Sequence, residues 1–222
     1  MTKHKKIIIF DFDGVLADSF NTFYPLLRDA MKSAGLSLTK NQYRNLFTGN
    51  VHQGFKDFTN DERKYEAAMK FRSSNYDKYY YDEHRKVKLF PGAIKFLKKT
   101  GKNYLLAIAS SGREDNIKDL LEVGGVKNLF SLILANSATS KAGMIKEILY
   151  KLGGKAEASI MITDTVGDIL TAKKSGLKTI AVTWGFHSEQ VLLGAHPDYI
   201  AKNFNNLAEV IDPVREKPPQ GG

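Results

Sequence analysis

Ile7-Ile8-Ile9-Phe10-Asp11-Phe12-Asp13-Gly14-Val15-Leu16-Ala17-Asp18-Ser19 places two carboxylates directly behind a short apolar run. Four β-branched or aromatic residues bounded by a glycine turn read as a buried strand, so both acids fall at its carboxyl end. Open α/β sheets gather their ligands at that end. Side chains in a strand alternate faces, and Asp11 and Asp13 can serve one site only if the backbone turns after them, which Gly14 permits. Asp11 is then a candidate nucleophile and Asp13 a candidate acid and base, and both offer oxygen to a hard cation. The alternative is an acidic turn that merely closes a strand, and the remaining chain decides between the two.

Three further segments bear on that choice. Tyr104-Leu105-Leu106-Ala107-Ile108-Ala109 is a second apolar run of strand length, closed by Ser110-Ser111-Gly112. Ser111 with Glu114 has the spacing of a capping box for a following helix, whose N-terminal amides suit an anion. Lys141 stands before Met144, Ile145, Ile148, Leu149 and Leu152, which share one helical face. A cation in a first turn opposes the helix dipole, and Ser140 already supplies the cap, so local stability does not account for this lysine. Ser159-Ile160-Met161-Ile162-Thr163-Asp164 is another strand ending in an acid, and Asp168 follows within the next turn, where Thr165 could cap. In that position Asp168 could also serve simply by complementing the dipole.

Asp11-Phe12-Asp13-Gly14, Ser110, Lys141 and Asp164 with Asp168 resemble, in order, the four signatures of the haloacid dehalogenase superfamily. The resemblance covers the first strand and about Val87 to Ile211. It implies an α/β core, a Rossmann-like doubly wound parallel sheet, and phosphoryl transfer through an aspartyl phosphate on Asp11. By the same resemblance Asp13 is acid and base, and Ser110, Ser111 and Lys141 bind phosphate. Asp11, Asp13 and Asp164 hold Mg²⁺, with Asp168 behind them. Two positions depart from the usual pattern: Ala142 where many members have proline, and Thr163 where glycine is common.

Between the first two signatures strand-like alternation is absent. Phe20, Phe23, Leu26, Leu27 and Ala30 mark one amphipathic helix ending near Gly35, and Tyr65, Met69, Arg72, Tyr76 and Tyr80 mark a longer one. The reading is a small all-helical cap domain inserted after the first strand, as in phosphoglycolate phosphatases and β-phosphoglucomutases. Boundaries follow: a core of residues 1–17 and 87–213, a cap of 18–86, and a disordered tail of 214–222. Phe47 to Phe55, with glycines flanking polar residues, reads as a specificity loop in which His52 and Gln53 could touch substrate. His187, after Trp184-Gly185-Phe186, resembles a residue near the mouth of the site, and no chemistry is assigned to it.

Composition agrees. A chain of 222 residues with 42% apolar content can build one sizeable core and a small second lobe. The absence of cysteine excludes disulfides and thiolate chemistry, and the five histidines lack paired zinc spacing. Neither a secretion signal nor a membrane-length apolar run is visible, so the cytoplasm is the expected location and no membrane partner is expected. The net charge of +9 is dispersed among acids, which favours steering of anionic substrates over nucleic acid. The expected function is Mg²⁺-dependent hydrolysis of a small phosphate monoester, with oligomeric state left open. Asp13 argues against dehalogenase and phosphonate-hydrolase chemistry, whose family members lack it. A sugar phosphomutase and a catalytically silent binding protein remain the alternatives.

Overall fold

The computed structural model describes residues 6–82, 84, 86–136 and 138–216, without the side chains of 212–216. The Lys-rich start before Lys6 and the end of the tail, 217–222, lie outside the described residues.

Six strands form one parallel sheet: β1 (Ile7–Phe10), β4 (Leu105–Ser110), β5 (Phe130–Ala135), β6 (Ile160–Thr163), β7 (Lys178–Val182) and β8 (Tyr199–Ala201). Their order across the sheet is β5-β4-β1-β6-β7-β8. Counted along the core alone this is 3-2-1-4-5-6, the doubly wound order. The chain therefore reverses direction at β1, whose two neighbours are β4 and β6. A crevice opens where the connections leave in opposite directions, beside the carboxyl ends of these three strands.

Period-two alternation divides the apolar residues between two layers. Ile8, Phe10, Leu106, Ile108, Ile160 and Ile162 face one side, where they pack on α5 (Ala93–Thr100), α6 (Glu114–Val123) and α10 (Phe204–Glu216). Ile7, Ile9, Ala107, Ala109 and Met161 face the other, against α7 (Lys141–Leu152) and α8 (Val166–Lys174). All four β1 side chains are fully buried. At about 1.5–3 kcal/mol for each large apolar side chain, this strand anchors the acids that follow it. A short helix, α9 (Glu189–Leu193), completes the core, and α10 extends to Glu216, into the stretch read as a tail.

The second lobe is all helix: α1 (Phe20–Ser33), α2 (Lys40–Asn45), α3 (Val51–Thr59) and α4 (Glu62–Tyr80). Its separate core joins Leu26, Leu27, Met31, Tyr43, Phe55 and Tyr76, with Phe186 inserted from the sheet domain. The chain crosses between lobes twice, and the crossings pair as a two-stranded antiparallel ribbon of β2 (Ala17–Asp18) and β3 (Lys88–Leu89).

Three local expectations need correction. The supposed loop from Phe47 to Phe55 is already helical from Val51, because Asn50 accepts hydrogen bonds from the amides of His52 and Gln53. Ser111 forms no capping box: α6 starts at Glu114 behind Arg113, without a side-chain cap. Thr165 occupies the cap position of α8, and its side chain makes no capping bond.

Candidate active site

After Asp11 the chain turns at once. Leu16 and Ala17 both donate to the Phe12 carbonyl, Gly14 donates back to Ala17, and Gly14 takes the left-handed φ of +77° that an L side chain resists. A Cβ on Gly14 would stand 2.0 Å from Asp164 Oδ2. The turn thus brings the first acidic segment against the acid that ends β6, and glycine is what allows the approach.

Lys141 organises the centre from the first turn of α7, whose cap is Ser140 accepting from Gly143. Its Nζ lies 2.9 Å from Asp11 Oδ1, 2.9 Å from Asp168 Oδ2 and 2.8 Å from the Ala109 carbonyl oxygen. All three charged side chains are largely shielded from water. Burial pulls an ammonium down, yet the Asp11 and Asp168 carboxylates outweigh it and hold Lys141 charged, above its ordinary range. The dipole-opposing position of this lysine is offset by two carboxylates that meet it. Asp11 Oδ1 also accepts from the Phe12 amide at 2.8 Å, which fixes the plane of the carboxylate. Burial, then the neighbouring Asp168 and Asp164, push the Asp11 carboxyl up against the pull of Lys141.

Asp13 lies on the cap-facing side of the turn. Its Oδ2 and Ser110 Oγ both sit 3.3 Å from the point where a Gly112 Cβ would be. Glycine therefore leaves space between a candidate acid and a candidate phosphate donor. Burial raises the Asp13 carboxyl above its usual value, opposed by Ser19, Lys141 and Arg72. Ser110 is buried and its hydroxyl accepts from the Gly112 amide at 3.0 Å, while Ser111 is exposed.

Asp164 is fully buried. Its Oδ2 accepts from the Phe186 amide at 2.7 Å, but its Oδ1 has no hydrogen-bond partner. Burial pushes this carboxyl up to about 7, with the Phe186 amide opposing. A buried carboxylate oxygen facing nothing is costly, and a cation would satisfy it. Among the described residues no three His, Cys, Asp or Glu side chains form a ready-made ligand cluster. Asp11, Asp13 and Asp164 offer carboxylate oxygen, the donor type that a hard cation takes.

Sequence reasoning missed how α8 is held. Thr163 Oγ1 accepts from Thr165, His187 Nδ1 accepts from Val166 at 3.1 Å, and the Phe47 carbonyl of the cap accepts from Gly167 at 3.0 Å. Arg72, read as part of a helical stripe, reaches from α4 close enough to act on Asp13. Arg113 lies over the Tyr76 ring at 3.9 Å and pairs with Asp77. A cavity of about 10 Å³ between cap and core is bordered by Asp13, Tyr76, Tyr80, Gly112, Arg113 and Asn116. That is room for about one water. His52 and Gln53 are not brought to this cluster by any described contact; Gln53 donates to Asp57 on the outer surface of α3.

The haloacid dehalogenase-like hydrolase pattern matches residues 8–182. A curated relative from Dickeya dadantii, named "Probable phosphatase IndB", is 27% identical over 213 residues, covering 91% of this chain and 92% of its own. The phosphoglycolate phosphatase of Vibrio cholerae is 21% identical over 221 residues, covering 94% and 98%. Among solved structures, a haloacid dehalogenase-like family hydrolase from Streptococcus pneumoniae superimposes with a TM-score of 0.79 at 27% identity, covering 95% of this chain and all of its own. No described helix is long and apolar enough to cross a membrane. With its doubly wound core, inserted helical cap and acids gathered at the switch point, the chain belongs to the haloacid dehalogenase-like hydrolases.

Proposed function

We propose that this hydrolase is a Mg²⁺-dependent phosphomonoesterase that acts on a small phosphorylated metabolite through an aspartyl phosphate on Asp11. The observation that carries the reading is the junction of Lys141 with Asp11 and Asp168 beside an unsatisfied Asp164 oxygen. Opposite charges meet there, which suits a centre that takes one cation and one phosphate. Mg²⁺, held by Asp11, Asp13 and Asp164, would supply positive charge against the phosphate oxygens.

The residues themselves divide the work. Lys141 and the Phe12 amide orient the Asp11 carboxylate, so attack needs little rearrangement. An Asp11 oxygen bonds to phosphorus as the ester P–O bond breaks, and Asp13 gives its proton to the departing alcohol oxygen. Burial suits Asp13 to that task, because a raised pKa keeps the proton available. Asp13, now ionised, takes a proton from water whose oxygen attacks phosphorus. The Asp11–phosphorus bond breaks, inorganic phosphate leaves, and Asp13 is protonated again. Ser110 and Lys141 hold the phosphate oxygens, with Ser111 at the same strand end, and Asp168 keeps Lys141 in place.

Leaving-group choice falls to the cap, whose face toward Asp13 carries Tyr76 and Tyr80 near Arg72. The phosphatase names of the relatives support small phosphate esters as the substrate class, and the cytoplasm is the location that belongs to this reading. The test is phosphate release from a panel of phosphorylated metabolites with and without Mg²⁺, using Asp11→Asn as control. Release by the wild type alone, and only with Mg²⁺, is expected. Transfer of the phosphoryl group to a sugar phosphate, giving a bisphosphate instead of free phosphate, would replace hydrolysis with a mutase reaction.

A further inference from the structure

His187 is buried, and it faces two partners whose chemistry fixes its ring. The Val166 amide can only donate, so Nδ1, at 3.1 Å, must accept. The Arg44 carbonyl can only accept, so Nε2, at 2.9 Å, must carry the proton. One partner opens the helix bearing Asp168, and the other ends a helix of the cap. Two more bonds run in parallel: Arg44 Nε donates to the Phe186 carbonyl at 2.8 Å, and Gly167 donates to the Phe47 carbonyl at 3.0 Å. Phe186, beside His187, is also the residue whose amide holds Asp164 Oδ2.

This arrangement changes the ordinary accounting of a helix start. The first amides of α8 lack a side-chain cap from Thr165, and they are satisfied instead by His187 and by the cap lobe itself. The seam is also close. A Cβ on Gly167 would come within 2.4 Å of the Gly49 carbonyl oxygen and 3.0 Å of that of Phe47. Since both are backbone atoms, the cap segment would have to move. The cavity beside Asp13 is small, and a cap that shifts to admit a leaving group would open and close this seam with each turnover.

We propose that His187 is a positioning residue, a neutral latch that couples the seat of the cap segment Arg44–Gly49 to the order of the Asp164 loop and of the first turn of α8, which carries Asp168. The proposal rests on the phosphatase reading for its kinetic consequences but not for its geometry. When the cap seats, Arg44 and Phe47 complete the hydrogen bonding of His187 and α8, and the loop is held for its cation. When the cap lifts, those groups lose their partners together.

Three measurements on the full chain test it. Nitrogen-15 NMR of the histidine rings should show His187 as the Nε2–H tautomer; an Nδ1–H ring would overturn the latch. His187→Leu, which removes both bonds, should raise the Mg²⁺ concentration at half-maximal response by about 10-fold, the scale at which partners of metal ligands act. KM should rise with it, while kcat at saturating Mg²⁺ changes little. His187→Gln, which keeps one acceptor and one donor, should recover most of the loss. Gly167→Ala, with His187 and every acid intact, should raise KM in the same way by propping the seam. If His187→Leu lowers only thermal stability, or Gly167→Ala leaves KM unchanged, the residue is structural and the proposal fails. If the wild type cleaves no phosphate ester, the phosphatase reading fails instead. The tautomer and the Mg²⁺-induced rise in melting temperature, compared between wild type and His187→Leu, then still decide the latch.

Discussion

Gly185→Ala tests the closeness on which the Asp164 loop depends. A Cβ at this position would lie 2.3 Å from Asp164 Oδ2, 2.4 Å from its Cβ and 2.6 Å from its Cγ. The backbone of Gly185 does not have a positive φ, so the substitution adds collision without conformational strain of its own. Asp164 cannot yield easily, being fully buried and bound to the neighbouring Phe186 amide at 2.7 Å. Overpacking of a filled interior costs about 1–3 kcal/mol. A displaced Asp164 also leaves the buried Phe186 N–H without its acceptor, at about 1–3 kcal/mol more. The expected loss is therefore roughly 2–6 kcal/mol, a large share of the roughly 5–15 kcal/mol that a folded domain has. Urea unfolding measures it directly, and the same protein should need more Mg²⁺ for phosphatase activity or show none. A variant within about 0.5 kcal/mol of wild type with an unchanged Mg²⁺ response would refute the packing argument, since surface changes alone have that size.

Asp13→Ala should lower turnover by about 10²- to 10⁴-fold, and more for alkyl than for aryl phosphates, because an activated leaving group needs less proton donation. Equal losses on p-nitrophenyl phosphate and an alkyl ester would count against the acid. Because the folded Asp164 carboxyl is pushed up to about 7 from an ordinary 3.8, its contribution to metal-free stability is complete below pH 3.8 and disappears as pH rises toward 7. Mg²⁺ competes with that proton, so the half-saturating concentration should be about tenfold higher at pH 6 than at pH 8, and the Mg²⁺-induced rise in melting temperature correspondingly larger at pH 8. A flat Mg²⁺ requirement across that range, followed by thermal shift, would exclude Asp164 as the linked group. Removing the Arg72 charge with Arg72→Ala should let the Asp13 pKa rise further, moving the alkaline limb of the pH–rate profile upward on alkyl esters. An unmoved limb would place Arg72 outside the working site.

Much of this was legible from local patterns. β1 could be read because four consecutive apolar residues admit few other fates, and the acids at its end inherit their place from it. α1 and α4 were visible from periodicity, since each buries a stripe that must cover something. Less was legible where partners come from distant segments. The two expected caps, Ser111 and Thr165, fail because other groups serve those helix starts or because α6 begins later than the box requires. Asn50 was the overlooked signal that Val51 to Thr59 is helix and not loop. His187 could not be interpreted from its neighbours, as its meaning lies in bonds to residues 21 and 143 positions away. Arg72 was hidden by its own stripe, because periodicity tells which side chains share a face but not which of them lies within electrostatic reach of Asp13.

The central claim is that Asp11 attacks phosphorus and water attacks second. Its most direct test is the stereochemical course at phosphorus, followed with an ester of thiophosphate made chiral by oxygen isotopes. Two in-line displacements, the first by Asp11 and the second by water, predict overall retention of configuration. Inversion would mean a single direct attack by water and would contradict the account.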